Sequence, residues 1–502
     1  MTTLVQLSGS GSLHRQIYES LRTGILSGRL KPDIRLPASR ELASELGVSR
    51  NVVLLAYEVL VGEGYAEGRL GSGTYVASSL PESMLTASRS GPRVRPELQE
   101  AAEPRISAFA RRLDIKKGSP PDLGPAAPEL RYDFRYGFAD VKTLPLQALR
   151  RLAGKRLRAP SLNNGPAEGM WELRQAVADY LSRARAIDCD PDQIIIVAGS
   201  QQGLDFVARV LLDPGDRIAI EEPCYLGARE VFEAAGAELI SMPVDDEGLV
   251  VSKLPPPSAS LKLVYVTPSH QFPTGGILSL GRRLELLDWG EQTGAYILED
   301  DYDGEYRYEA RPLEALQGLD RGGRVIYLGT FSKVLFPALR LGYLVLPDPL
   351  LPYFRAAKWI ADRCTPPLLQ EAMADFITSG QFESHLRRSR LTFASRRKAL
   401  LSALDRELGD KVEVQGAKAG VHVVVWLPQL PVRRVPELLE RAARLRVGVE
   451  SVAHCYASEP DRAGLLFGYQ SLTEDEIDTA VCLLARALDE MEGGGSARGA
   501  PL

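Results

Sequence analysis

Cysteine is scarce in this chain. Cys189, Cys224, Cys364, Cys455 and Cys482 are scattered over 502 positions, odd in number and without CxxC spacing. That pattern argues against a disulfide framework and a structural zinc site, and it suits a reducing cytosol. Long apolar runs are missing as well. Stretches 193–199 and 261–268 fall far short of the ~20 residues that cross a bilayer, and they read as buried strands. No basic, apolar and small-residue start marks a secretory signal. The expectation is a cytoplasmic protein with no membrane partner and no metal. A net charge of −5 carries no strong electrostatic message. An apolar share of 45% is enough for large cores, and the length leaves room for several compact units.

Residues 1–78 form one block. Leu13, Ile17, Leu21 and Ile25 recur every four residues, the spacing of an amphipathic helix ending near Gly28. A second helix fits 38–46, with Leu42 and Leu46 on one side and Gly47 placed to stop it. Ser49 is suited to cap a third helix, 50–62, with Val53, Ala56, Tyr57 and Leu60 turned inward. Residues 65–76 then alternate around Gly68, Gly71 and Gly73 as a short hairpin. Three helices and a hairpin make a mostly α winged helix-turn-helix.

Residues 79–130 contain eight prolines and few apolar runs, too little to offset the entropy of ordering them. They are expected to be a flexible linker, with a short helix possible at 105–113. From 131 to 490, β-rich runs alternate with helical ones. Strands are expected at 194–198, 217–221, 261–267, 295–299, 325–328 and 341–346, with helices such as 202–212 and 280–290 between them. This alternation predicts an α/β domain with a mainly parallel sheet. The last residues, 491–502, are expected to be a disordered tail.

The chemistry of the larger block centres on Lys333. It closes an apolar strand in Gly-Thr-Phe-Ser-Lys-Val-Leu-Phe-Pro-Ala-Leu-Arg, residues 329–340. A buried ammonium needs a partner or gives up its proton, and a neutral amine is what Schiff-base chemistry requires. Thr330, Ser332 and Arg340 offer hydroxyls and a guanidinium to a phosphate. Taken alone, the segment fits an ordinary surface lysine equally well.

Other segments tip the balance. Glu299-Asp300-Asp301-Tyr302-Asp303 follows a strand, and ligands of open α/β sheets gather at such strand ends. A carboxylate there can keep a pyridine nitrogen protonated. The run lacks the spacing of a calcium loop. Ser200 and Gln201 open a helix directly after a strand, the geometry that holds phosphate. Tyr225 follows another strand, where it either stacks on a ring or packs in the core.

In this order the segments resemble fold-type-I aminotransferases that depend on pyridoxal 5′-phosphate. The resemblance implies that Lys333 carries the cofactor as a Schiff base and that Asp300 pairs with the pyridine nitrogen. Tyr302 would then bond the ring's phenolic oxygen and Tyr225 would stack on the ring. Ser200, Gln201, Thr330, Ser332 and Arg340 would hold the phosphate. Two departures stand out. The asparagine expected before Pro273-Thr-Gly is Phe272, and no clear arginine occupies the place that binds a substrate carboxylate. Arg462 and Arg229 are the candidates to hold an effector carboxylate.

The smaller block has eight Lys/Arg against seven Asp/Glu, so placement matters more than bulk charge. Arg35, Arg40, Arg50 and Arg69 fall before helix two, on it, at the start of helix three and in the wing. Ser49, Arg50 and Asn51 would enter the major groove, where Arg and Asn suit guanine and adenine. Gly71 and Gly73 would let the wing backbone approach DNA. A winged helix used only for protein contacts is the alternative.

Residues 36–51, with the Gly-Ser-Gly-Thr-Tyr-Val wing, resemble the GntR family's DNA-binding domain. A GntR head on an aminotransferase-like body resembles the MocR subfamily of transcription regulators. Ser269-His-Gln-Phe-Pro-Thr-Gly looks like that subfamily's variant, with His270 either beside the cofactor or structural. The resemblance implies a homodimer that binds operator DNA and senses a small amine, an amino acid or pyridoxal phosphate itself. A working transaminase with an accessory DNA-binding head is the rival expectation.

Overall fold

The computed structural model describes residues 5, 7, 11–69, 71–80, 105–113, 130–138, 140–157, 163–308 and 314–493. It divides into a head, Met1–Arg105, and a body, Ile106–Leu502. Most of the expected linker and the tail from 494 lie outside the described residues.

The head has helices Leu13–Leu26, Ser39–Leu46 and Arg50–Gly62, then antiparallel strands Ala66–Arg69 and Gly73–Val76. Ile17, Leu21, Ile25, Leu42, Val53, Ala56, Tyr57 and Leu60 form its core. Two expectations need correction. Leu13 is 44% exposed, because the first turn overhangs the core that begins at Ile17. Ser49 stands at the N-cap, but its side chain makes no capping bond. Gly47 does close the second helix, in the left-handed conformation that glycine adopts without penalty.

The body is built on an eight-stranded sheet. Its order is Ile194–Val197, Gly342–Val345, Val325–Thr330, Tyr296–Asp301, Leu261–Val266, Arg217–Glu222, Glu238–Asp245 and Gly248–Leu249. The five strands from Val325–Thr330 to Glu238–Asp245 pair in parallel, while Gly342–Val345 runs antiparallel to both neighbours. Side chains alternate between two buried faces. Ile218, Ile220, Leu263 and Tyr265 meet Leu204, Val207 and Phe232, whereas Ala219, Val264 and Val266 meet Leu278, Leu286 and Leu287. A sheet covered on both sides must be apolar on both, which explains the near-continuous Val/Ile/Leu runs.

A smaller antiparallel sheet, ordered Glu413–Gln415, His422–Trp426, Gly464–Gly468 and Glu450–Ser451, completes the body. The long helix Gln381–Leu408 leads into it. Its last helix runs Glu474–Gly493, past the boundary expected at 490. Part of the expected linker also belongs to the body. Helix Ala108–Arg112 sits over the end of helix Leu226–Ala235, where Arg112 donates to the carbonyls of Ala234 and Ala235 at 2.9 and 3.2 Å.

The long helix is pinned by a buried ion pair. Arg396 meets Asp140 at 2.7 Å and also donates to the Gln470 carbonyl. Breaking a buried pair leaves one charge uncompensated and costs about 3–5 kcal/mol. Arg396→Ala should therefore lower the body's unfolding free energy by about that much in denaturant titrations. The double change Asp140→Ala, Arg396→Leu should recover most of the loss.

Candidate functional site

Several parallel strands and the loops after them deliver side chains to one region of the body. Helix Ser200–Leu211 follows strand Ile194–Val197 through Gly199, its N-cap at φ +83°. A Cβ at Gly199 would stand 2.8 Å from the Arg340 guanidinium carbon, so only glycine fits beneath that arginine. Arg340 in turn donates to the Ala198 carbonyl at 2.8 Å. Gln201 donates to the Gly227 carbonyl at 2.9 Å and accepts from the Tyr225 hydroxyl at 3.4 Å, which holds that ring in place. Thr330 accepts from the Ser332 backbone at 3.2 Å, and the buried Ser332 hydroxyl has no partner.

Lys333 follows strand Val325–Thr330. Its Nζ lies 3.8 Å from the centroid of the Tyr136 ring, and a Cβ on Gly137 would stand 3.3 Å away. Burial pushes the amine down to about 8 against the ordinary 10.5, opposed by Asp303, Glu450 and Asp300. Asp300 is buried, and its Oδ2 accepts from Tyr265 at 2.9 Å while its Oδ1 has no partner. Burial pushes Asp300 up to about 7, with Asp301 adding to the rise and Tyr265 and Lys333 opposing it.

Around these groups stands an aromatic wall. Phe272, where an asparagine was expected, packs against Tyr136, Tyr225, Tyr302 and His422, with ring centroids 5.2–5.9 Å apart. Tyr302 was expected to reach a ring oxygen. In the structure its hydroxyl donates to the His270 carbonyl at 2.8 Å. His270 is structural in its contacts, with Nδ1 3.0 Å from Asp303. His422 bonds the Pro273 carbonyl through Nε2 at 3.0 Å, and burial holds it well below the usual histidine range.

The two candidate effector arginines each have an acidic partner. Arg229 is buried and held by Glu222 at 2.7 Å, with Cys224 Sγ at 3.2 Å. Arg462 pairs with Glu413 and lies over the Trp426 ring. Each guanidinium is paired with a glutamate, Arg229 in a buried setting and Arg462 at the surface. Tyr136, Tyr265, His422 and Glu450 went unnoticed in the sequence, because each reaches the site through long-range packing and none belongs to a local motif.

In the head, Arg35, Arg40, Ser49, Arg50 and Asn51 are all exposed. Arg50 shares a 3.3 Å bond with Ser39, which joins the second and third helices. Arg35 lies against Gly73 in the wing. Arg69 stacks on Tyr75 and pairs with Asp33, so part of its charge is already answered. Gly71 turns the hairpin at φ +71°. All five cysteines are unpaired, and no helix among the described residues is long and apolar enough to cross a membrane.

The class of protein follows from both halves. Residues 13–76 match the family of bacterial regulatory proteins, gntR family, and residues 137–455 match aminotransferase class I and II. The chain thus couples a gntR-type helix-turn-helix to an aminotransferase-type body. It is 38% identical to the probable rhizopine catabolism regulatory protein MocR of Rhizobium meliloti, over 96% of this chain and 95% of that protein. It is 32% identical to the HTH-type pyridoxine biosynthesis transcriptional regulator PdxR of Corynebacterium glutamicum, over 93% and 94% of the two chains. Among solved structures, the α-aminoadipate aminotransferase LysN of Thermus thermophilus, complexed with N-(5′-phosphopyridoxyl)-L-leucine, matches at TM-score 0.69 and 29% identity. That match covers 77% of this chain and 98% of LysN. The chain belongs to the MocR-type family of transcriptional regulators.

The amine's environment yields a pH prediction. Schiff-base formation by the cofactor-free chain with added pyridoxal phosphate, followed by absorbance, should rise with a midpoint near 8 and not near 10.5. The same shift bears on stability. Between about 8 and 10.5 the unfolded chain binds more protons at Lys333 than the folded one, so this residue's contribution to stability grows as pH rises through that window.

Proposed function

We propose that the body holds pyridoxal 5′-phosphate on Lys333 and that this site controls how the head binds operator DNA. The observation that carries the reading is one pair of groups. An enclosed amine with a lowered pKa shares its site with a buried carboxylate, Asp300, whose Oδ1 has no partner. That oxygen suits a protonated ring nitrogen, because an unmatched buried acceptor is costly until a donor arrives. The unpartnered Ser332 hydroxyl, the helix start at Ser200 and the Arg340 guanidinium suit a phosphate.

When bound, the cofactor supplies an aldehyde and a ring that withdraws electrons. The chain's own residues do the rest. Lys333 offers the nucleophile, Asp300 keeps the ring nitrogen protonated, and Tyr225, steadied by Gln201, covers the ring face. Thr330 orders the Ser332 backbone beside the phosphate. Tyr302, whose hydroxyl bonds the His270 carbonyl, would be the residue to hold the ring's phenolic oxygen. Tyr136 and Phe272 would wall one side of the site.

The effector in this reading is a small amine, an amino acid or pyridoxal phosphate itself. It acts by binding better to one state of the chain than to the other, since a ligand with equal affinity for both shifts nothing. Arg40, Ser49, Arg50 and Asn51 contact DNA in the groove, with Arg35 ahead of helix two and Arg69, Gly71 and Gly73 of the wing beside it. The chain works in the cytoplasm as a homodimer. A second copy would cover helix Leu351–Ala361, where Tyr353, Trp359 and Ile360 stand 65%, 52% and 82% exposed.

Gel-shift titration on the DNA upstream of the chain's own gene tests both halves. Arg50→Ala should weaken binding by roughly tenfold or more, the loss of about 1–3 kcal/mol for one base contact, without moving the unfolding midpoint. Lys333→Ala should leave basal DNA binding intact and abolish its response to pyridoxal phosphate and to a panel of amines. Equal responses in the wild type and Lys333→Ala would refute the reading, as would fast, repeated conversion of a 2-oxo acid with no effect on DNA.

A further inference from the structure

A cavity of about 260 Å³ lies between helix Trp171–Arg185, the turn at 304–307 and helix Gln381–Leu408. Five arginines line it, Arg183, Arg185, Arg307, Arg387 and Arg390, against two glutamates, Glu305 and Glu383. Much of that charge is unanswered. Arg185 is taken by Asp301 at 2.5 Å and Arg183 by Glu383 at 3.0 Å. Arg390 spends one nitrogen on the Glu305 carbonyl at 2.9 Å. Arg387 makes no ion pair among the described residues, and it is exposed. Arg307 has two buried nitrogens, Nε and Nη1, without any partner.

Two buried N–H groups without a partner are costly even on a half-buried side chain. Burial and the neighbouring Arg185 both press Arg307 toward losing charge, with Asp301 and Asp303 opposing them. Glu305 relieves little of this. Its carboxylate accepts from Tyr180 at 3.1 Å, and burial lifts it to about 7, so near neutrality it is ionised only in part. Left over are the forks of Arg307, Arg387 and Arg390, all lining one half-open cavity. Planar forks of this kind match the oxygens of phosphate groups in pairs.

We propose that this cavity binds a small multivalent anion of the phosphate class, seated on Arg307, Arg387 and Arg390. The site is separate from the one at Lys333. Successive strand residues point to opposite faces, and Asp300 turns to Tyr265 while Asp301 turns to Arg185 and Tyr327. The anion therefore lies behind the Lys333 site, one ion pair away from it through Arg185 and Asp301. Free phosphate species and phosphate esters present the same oxygens, so the test includes both.

The measurement is isothermal titration of the full-length chain at a fixed ionic strength of ~0.15 M, to hold screening constant. The chain is first loaded with pyridoxal phosphate, which on the reading proposed above fills the phosphate cradle at Ser200 and Ser332. It is then freed of excess by gel filtration, since free pyridoxal phosphate is itself a phosphate ester. Inorganic pyrophosphate is titrated in one arm and glycerol phosphate in the other. We expect saturable binding of at least one probe, one site per chain, with Kd below about 1 mM. Arg307→Gln and Arg387→Gln should each weaken it by about tenfold or more, the scale of one lost charge-assisted bond. Arg486→Gln, on the exposed face of the last helix, should leave it unchanged. Arg387 is exposed, so its variant carries the test even if Arg307→Gln folds poorly. Binding of pyrophosphate alone assigns a free anion, and binding of the ester alone assigns a phosphate ester. No saturable heat with either probe overturns the proposal, as does a loss equal in Arg486→Gln and Arg387→Gln.

Discussion

The body depends on placing four carboxylates, Glu299, Asp300, Asp301 and Asp303, at the buried end of one strand. Burying an ion costs several kcal/mol unless it is matched. Three of the four are matched directly. Glu299 accepts the backbone N–H groups of Leu316 and Gln317 at 2.9 Å, with Arg283 at 4.0 Å. Asp301 has Arg185 and Tyr327, and Asp303 has His270. Asp300 has only the neutral Tyr265 hydroxyl, and burial lifts its pKa to about 7, as it does that of Glu299. Oδ1 of Asp300, Asp301 and Asp303 alike is buried without a partner, and Asp300 is the one of these three with neither an arginine nor a histidine bonded to it.

The loops around the site are tied by buried polar bonds. Glu221 accepts from the Thr267 backbone and hydroxyl at 3.1 and 2.6 Å. Gln271 reaches the carbonyls of Pro223 and Phe272, both at 2.7 Å. Glu221 is held at about 7, raised by burial and lowered by these same bonds. The loops carrying Tyr225, His270 and Phe272 are thus fixed to one another before any ligand arrives. Preorganisation of this kind lets a small ligand act on the chain as a whole, since the parts move together or not at all.

Much of this was legible in the sequence. The strands at 194–197, 217–222, 261–266, 296–301 and 325–330 showed as apolar runs because both faces of the sheet are covered. Lys333, Asp300 and Tyr225 showed because each sits just beyond such a run. Strand Glu238–Asp245 did not show, since exposed and half-buried residues predominate along it and it lacks a continuous apolar signal. The small sheet was missed for a related reason, its strands being only two to five residues long. The partners of Arg229 and Arg462 were not legible, because a sequence displays a guanidinium but not the glutamate that folds against it. In the head, the helical spacing of apolar residues located all three helices, while the idle Ser49 hydroxyl depended on local geometry that no pattern encodes.

The central claim is that Lys333 is the residue to which the cofactor is joined. Borohydride reduction of the full-length chain incubated with pyridoxal phosphate, followed by peptide mass spectrometry, tests it most directly. The account predicts one dominant phosphopyridoxyl adduct, on the peptide containing Lys333, and its loss in Lys333→Ala. An adduct spread over surface lysines, or one that persists in Lys333→Ala, would contradict it.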